Sequence, residues 1–236
     1  MNPQGRYTIV LLDVDDTLFD FGKCQRAAFE KTVSRPIPEM DELYSSFQQI
    51  NLALWKSFEQ GRVSKNAIPE ERFVQLGRKW GIAWDAKELG RSYLELLSIE
   101  RHLIPEAEEV CTALSTLAVL GLVTNGISKV QHSRLAGTLI ASLVSVIVVS
   151  EDCGFAKPDR RIFDYARSKL PPADPESILV VGDRLDVDVA GARAAGLHSC
   201  WYNPRGEAPG SPIDPHHEIA RLWDLTGIVA GEHRGQ

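Results

Sequence analysis

The stretch Asp13-Val14-Asp15-Asp16-Thr17 follows directly on an apolar run, Thr8–Leu12. Residues i and i+2 of an extended chain project to the same side, so Asp13 and Asp15 can address one ligand together. One such carboxylate can attack an electrophile while the other gives or takes a proton. A second acidic stretch, Gly182-Asp183-Arg184-Leu185-Asp186-Val187-Asp188, follows another apolar run, Ile178–Val181. Carboxylates brought together repel unless a cation lies among them, and an all-oxygen set with open positions suits Mg²⁺. A phosphoryl group whose charge the metal neutralises is the electrophile that such a set would serve.

Two further segments add anion-binding chemistry. Thr124-Asn125-Gly126 supplies a hydroxyl, an amide and a glycine whose backbone N–H can approach an anion closely for want of a side chain. Lys157, in Gly154-Phe155-Ala156-Lys157-Pro158-Asp159, supplies a cation held by the stiff proline after it. Taken singly, each has a plain explanation: an Asp caps a turn or helix, Thr-Asn-Gly makes a turn, and a lysine is solvated at the surface. Their order, each after an apolar run, is what raises them.

The elements that must position these residues are five short apolar runs without alternation: Thr8–Leu12, Leu117–Val123, Leu143–Val149, Ile178–Val181 and Leu197–Tyr202. Runs of this kind suit strands buried on both faces of a parallel sheet. Segments of helical pattern separate them, such as Pro105–Leu117 with Glu106, Glu108 and Glu109 in its first turn. The expectation is an α/β fold with a Rossmann-like parallel sheet, whose ligands bind beyond the carboxyl ends of the strands. From Phe19 to Ile104 the apolar residues recur at helical spacing, as in Leu43, Phe47, Ile50, Leu54 and Phe58. This predicts an inserted helical domain of roughly four helices over 19–104, with the catalytic core formed by 1–18 and 105–236. Gly61 with Ser64, Gly81 with Asp85, and Glu88 three residues after Asp85 supply stop and start signals. Beyond the Pro- and Gly-rich segment Asn203–Pro215, a short edge element and a helix around Leu222–Ile228 are expected. His216-His217-Glu218 lacks a second ligand pair and is read as part of a surface edge rather than a metal site.

Composition narrows the partners. Acids outnumber bases, 32 to 26, and the basic residues are scattered, which argues against a nucleic-acid polymer or an anionic membrane as ligand. Four cysteines, Cys24, Cys111, Cys153 and Cys200, lie far apart, as in a reduced cytoplasmic protein. Neither an apolar run of membrane-spanning length nor a signal pattern is present.

The ordered set DVDDT, TNG, a lysine before proline, and GDRLDVD resembles the haloacid dehalogenase-like phosphohydrolase superfamily over almost the whole chain. The resemblance implies a nucleophile at Asp13 that forms an aspartyl-phosphate, and a general acid/base at Asp15. It implies phosphate binding by Thr124, Asn125, Gly126 and Lys157. It also implies Mg²⁺ held by Asp13, the backbone carbonyl of Asp15, and Asp183, with Asp188 outside the metal's own ligands as a partner of Lys157 and Asp186 a weaker candidate. Arg184 departs from the smaller hydroxyl residue common there, and a bulky cation would narrow the substrate range. The insertion after the first motif is similar to the helical cap of the subgroup that includes phosphoglycolate phosphatase and β-phosphoglucomutase. Within it, Leu18-Phe19-Asp20-Phe21, Asn51-Leu52-Ala53-Leu54-Trp55 and Arg72-Phe73 are similar to bacterial pyrimidine 5′-nucleotidases.

The expected substrate is therefore a small phosphorylated metabolite, with nucleoside 5′-monophosphates favoured and Phe19, Phe21, Asn51 and Trp55 as candidate substrate contacts. Tyr44 and Phe58, like Trp55, also fit the core of the helical insertion. Rival readings are a sugar-phosphate phosphatase or phosphomutase, a dehalogenase, and a phospho-accepting receiver-like module. A receiver needs only about half this length and no insertion, and the resemblance implies that dehalogenases lack the proton-handling Asp15. Oligomeric state is not readable from the chain.

Overall fold

A computed structural model describes residues 6–34, 39–210 and 212–232. The chain forms two compact units, Met1–Phe21 with Arg101–Gln236, and Gly22–Glu100.

The first unit is built on six strands: β1 (Ile9–Leu12), β2 (Val119–Thr124), β3 (Val144–Val149), β4 (Ile178–Gly182), β5 (His198–Tyr202) and β6 (His217–Ile219). Every neighbouring pair is parallel, in the order β3-β2-β1-β4-β5-β6. This is the doubly wound order, in which the chain leaves β1 toward one edge and returns to β4 on its other side. The five apolar runs are the first five strands, and β1 and β4 are buried throughout. Helices cover the sheet because βαβ crossovers leave strands apolar on both faces. On one side Ile162, Phe163 and Ala166 pack against Ile9, Leu11 and Val180. Among the described residues no helix is long and apolar enough to cross a membrane, and none of the four cysteines forms a disulfide. At the amino ends of the strands, the buried Tyr7 hydroxyl lies 2.8 Å from His198 Nδ1 and 2.8 Å from His217 Nε2.

The second unit holds the helices α1 (Phe21–Val33, whose first residue belongs to the other unit), α2 (Met40–Glu59), α3 (Ile68–Trp80) and α4 (Ala86–Leu97). Their apolar faces meet in a ring cluster: Phe47 lies 4.6 Å from Phe29, 5.5 Å from Phe73 and 5.3 Å from Tyr93 between centroids. Such tilted ring pairs add to the free energy of burial. Gly81, at φ 64°, closes α3 in the left-handed conformation that glycine adopts without steric cost. Asp85 caps α4 by accepting the Glu88 N–H at 3.0 Å, while the Glu88 carboxylate pairs with Arg91 instead of returning to Asp85.

The division falls at Gly22 and Glu100, not at 19 and 104. The backbone explains the shift. Phe19 bridges Leu103, the Asp20 N–H donates to His102 O at 2.8 Å, and the Ile104 N–H donates to Leu18 O at 2.9 Å. These bonds tie Leu18–Asp20 and 102–104 to the sheet unit.

Candidate functional site

Acidic residues collect at the carboxyl end of the sheet, around its topological switch. Asp13 follows β1 immediately, and its N–H donates to Val181 O at 2.9 Å, which locks it in register with β4. Asp183 follows β4, and its carbonyl accepts the Trp201 indole N–H at 2.8 Å. Asp188 lies in the wide π-helical turn Leu185–Val189, where its Oδ2 accepts the Arg184 N–H at 3.1 Å. Carboxylate oxygens of Asp13, Asp183 and Asp188 all lie within 4.8 Å of one another. Lys157 reaches in from the loop before α9 of the sheet unit, a helix that begins at Arg160 (the intervening helices, in chain order, are α5 Ala107–Ser115, α6 Ser128–Ala136, α7 Ile140–Leu143 and α8 Ser150–Cys153). Its Nζ donates to Asp13 Oδ1 at 2.5 Å and to Asp188 Oδ1 at 2.6 Å.

Two buried carboxylates thus share one ammonium, with the half-buried Asp183 alongside them. Burial, opposed by Lys157 and assisted by Asp188, pushes the Asp13 carboxyl up to about 7. Burial, with the nearby charges of Asp188 and Asp13, pushes Asp183 up to about 9. Burial opposes the charge on Lys157, yet Asp13 and Asp188 together hold it above the ordinary lysine range. An excess of negative charge in an all-oxygen donor set is what a hard divalent cation relieves, so these residues fit Mg²⁺.

The Thr124-Asn125-Gly126 turn sits beside this cluster through Lys157. Asn125 clamps the lysine's backbone: its Nδ2 donates to Lys157 O, and the Lys157 N–H donates to its Oδ1, both at 2.8 Å. Thr124 is buried at the end of β2, and its Oγ1 accepts the Gly126 N–H at 3.2 Å. Gly126 also has a packing role. An added Cβ there would lie 2.1 Å from Gln131 Nε2, so the missing side chain makes room for Gln131.

Asp15 has partners that the sequence reading missed. Its Oδ1 accepts Arg134 Nη1 and its Oδ2 accepts Gln131 Nε2, each at 2.6 Å. Both donors stand on α6, which buries Val130, Gln131, Arg134 and Leu135. A glutamine and an arginine interrupting the inward stripe of a helix, three residues apart, was the available signal.

Phe19 is also corrected. It is fully buried, and the Arg134 guanidinium lies 4.3 Å above its ring, so the face expected to meet a ligand is taken by a buried cation that needs it. Phe21 is partly exposed, 5.9 Å from the same guanidinium. Asn51 and Trp55 belong to α2 of the second unit. Asn51 is buried with its Oδ1 unpartnered, and Trp55 meets Phe58 edge-on at 5.8 Å. Asp186 points outward and is held by Arg184 in a forked pair (3.1 and 2.8 Å), which separates it from the cluster that holds Asp188.

A haloacid dehalogenase-like hydrolase profile matches residues 7–196, which contain every residue of this cluster. The chain belongs to the haloacid dehalogenase-like hydrolases. Within this family it is 33% identical over 225 residues to the putative HAD-hydrolase YfnB of Bacillus subtilis, covering 95% of this chain and 96% of that one. The crystal structure of YfnB bound to magnesium superposes with a TM-score of 0.87 at 32% identity, covering 95% of this chain and 99% of that one. The pyrimidine 5′-nucleotidase YjjG of Escherichia coli is 28% identical over 222 residues, covering 90% of this chain and 96% of that one. The L-2-haloacid dehalogenase of Xanthobacter autotrophicus, at 17% identity and a TM-score of 0.76 over 96% of this chain and all of that one, shares the haloacid dehalogenase-like fold.

Proposed function

We propose that the chain is a Mg²⁺-dependent phosphomonoester hydrolase that works through an aspartyl-phosphate on Asp13. The observation that carries this reading is Lys157 set between Asp13 and Asp188, with Asp183 alongside: a nucleophile with its charge compensated in a site built for anions. Asp13, Asp183 and the backbone carbonyl of Asp15 would hold the metal. When bound, the ion supplies positive charge that lets the Asp13 carboxylate and the phosphoryl oxygens approach one another.

An Asp13 oxygen attacks phosphorus and the bond to the leaving oxygen breaks, while Asp15 delivers a proton to that oxygen. Asp15 then takes a proton from the water that attacks the same phosphorus, which frees inorganic phosphate and restores the Asp13 carboxylate. Lys157, oriented by Asp188 and by the Asn125 clamp on its backbone, balances charge on the phosphoryl oxygens together with the Thr124 hydroxyl and Asn125. Dehalogenation is the less favoured reading because the similarity to the Xanthobacter enzyme extends to the fold alone, whereas Asp15 is equipped to handle a proton.

Nucleoside 5′-monophosphates are the proposed substrates, pyrimidines above purines. The likeness to YjjG across both units supports this choice, with Phe21, Asn51 and Trp55 as candidate contacts. The test is release of inorganic phosphate by the purified protein in Mg²⁺ from UMP, dTMP, AMP and several sugar phosphates, compared as kcat/KM. Sugar phosphates hydrolysed about tenfold better than every nucleotide, a gap of about 1.4 kcal/mol in barrier, overturn the nucleotidase reading. No release from any phosphomonoester overturns the phosphatase reading.

A further inference from the structure

The acidic pair after β1 is treated unequally by its surroundings. Asp13 meets an ammonium and other carboxylates, whereas Asp15 is gripped by side chains more than a hundred residues away in sequence. Gln131 and Arg134 donate to different oxygens of Asp15 at the same 2.6 Å. Each carboxylate oxygen has two lone pairs, so one donor per oxygen fixes the group and still leaves sites for a proton.

The grip is built at a cost that packing alone does not explain. Arg134 is fully buried, its guanidinium lies on the Phe19 ring, and its carbonyl accepts the Arg101 Nε–H at 3.2 Å. Gln131 is 1% exposed, spends its amide N–H on Asp15, and leaves its Oε1 without a partner. An apolar side chain of the same volume would avoid burying that unsatisfied oxygen. Residue 126 gives up its side chain so that Gln131 can pass.

We propose that Gln131 and Arg134 are positioning residues that hold the Asp15 carboxylate in the orientation from which it exchanges a proton with the leaving group and with water. This rests on the acid/base reading of Asp15 given above. It adds that α6 sets the angle of that carboxylate, and that the turn after β1 does not do so alone.

A double-mutant cycle tests it. Single-turnover rates of phosphate release from the best alkyl phosphomonoester of the panel above, whose alkoxide leaving group needs a proton, are measured in saturating Mg²⁺ for the wild type, Gln131→Met, Asp15→Asn and the double variant. Methionine keeps the volume and removes the donor, and thermal melts verify folding. The expected result is that Gln131→Met lowers the wild-type rate by about tenfold or more, as loss of a hydrogen bond to a charged group implies. KM should stay within about twofold, and the rate in the Asp15→Asn background should change by less than about twofold, since an effect routed through Asp15 vanishes with it. The same loss in both backgrounds, or no loss in the wild type, overturns the proposal while leaving the role of Asp15 intact. An Asp15→Asn variant as fast as wild type overturns the acid/base reading itself, and the proposal with it. If Gln131→Met does not fold, Arg134→Lys, which keeps the buried charge but loses the guanidinium geometry, enters the same cycle with the same outcomes.

Discussion

The Asp188 carboxylate fills the space that a side chain on Gly182 would need: a Cβ at residue 182 would stand 2.2 Å from Asp188 Cγ and 2.4 Å from its Oδ2. Asp188 in turn anchors the Lys157 ammonium. An alanine at 182 must therefore push Asp188 away and loosen the lysine. We expect Gly182→Ala to lower kcat by about tenfold or more, the loss typical of a misplaced charged hydrogen bond. Phosphate release measured beside circular dichroism checks this, and wild-type turnover in the variant would count against the linkage.

Asp13→Asn keeps the shape of the nucleophile but cannot form the acyl phosphate. Turnover should vanish with the fold intact. A variant retaining more than about a tenth of the wild-type rate, equivalent to under about 1.4 kcal/mol in barrier, would remove Asp13 from that role.

Removing the ammonium should be felt in stability before activity is measured. Lys157→Met leaves Asp13 and Asp188 as buried charges facing each other, and breaking a buried pair in this way costs about 3–5 kcal/mol. Differential scanning calorimetry should show a large fall in Tm that Mg²⁺ recovers in part. An unchanged Tm would mean that the two carboxylates are relieved by something other than Lys157.

Asp183 and Asp188 should differ in their hold on the metal. Asp188 is engaged by Lys157 and by the Arg184 N–H, so Asp183 is left to carry the ligand role. Asp183→Ala should weaken Mg²⁺ affinity in titration calorimetry more than Asp188→Ala, because a direct ligand supplies charge and an outer carboxylate orients its neighbours. Equal affinities would refute this placement.

Acid should weaken the other end of the sheet. Burial, then the charges of Arg6, His216 and His198, push His217 from its ordinary 6.5 down to about 4. The folded chain keeps this imidazole neutral where the unfolded chain takes up a proton, so stability falls as pH drops from about 6.5 toward about 4 and is unaffected by this group above that window. His217→Gln cannot titrate, and its Tm should decline less over the same range. Parallel Tm profiles for the two proteins would exclude the contribution.

Much of this arrangement is legible in the sequence because the strands are buried on both faces and appear as unbroken apolar runs, and the polar residues that end them must lie on one edge. Asp13, Thr124 and Asp183 are of this kind, and Lys157 follows β3 by way of the short helix α8. Gln131 and Arg134 are not: their partner lies 131 − 15 = 116 and 134 − 15 = 119 residues earlier, and the pairing depends on how α6 is rotated against the turn after β1, which no local pattern encodes. Phe19 misleads for the same reason, since its covering cation comes from that helix. The boundaries at Gly22 and Glu100 were hidden because backbone bonds, not side-chain types, tie Leu18–Asp20 to 102–104.

The place of β1 at the centre of a parallel sheet also dictates an order of events in synthesis. Ile9 pairs with Val119 and with Ile178, partners that follow it by 119 − 9 = 110 and 178 − 9 = 169 residues. The strand that leads into Asp13 leaves the ribosome before either neighbour, and it lacks β2 for the next 110 residues of synthesis and β4 for the next 169. Closing loops of this length is slow and leaves apolar strands exposed to aggregation. Helices α1 to α4, whose contacts are local, can meanwhile collapse on their own ring cluster. The nascent chain is therefore most vulnerable while β1 waits for β4.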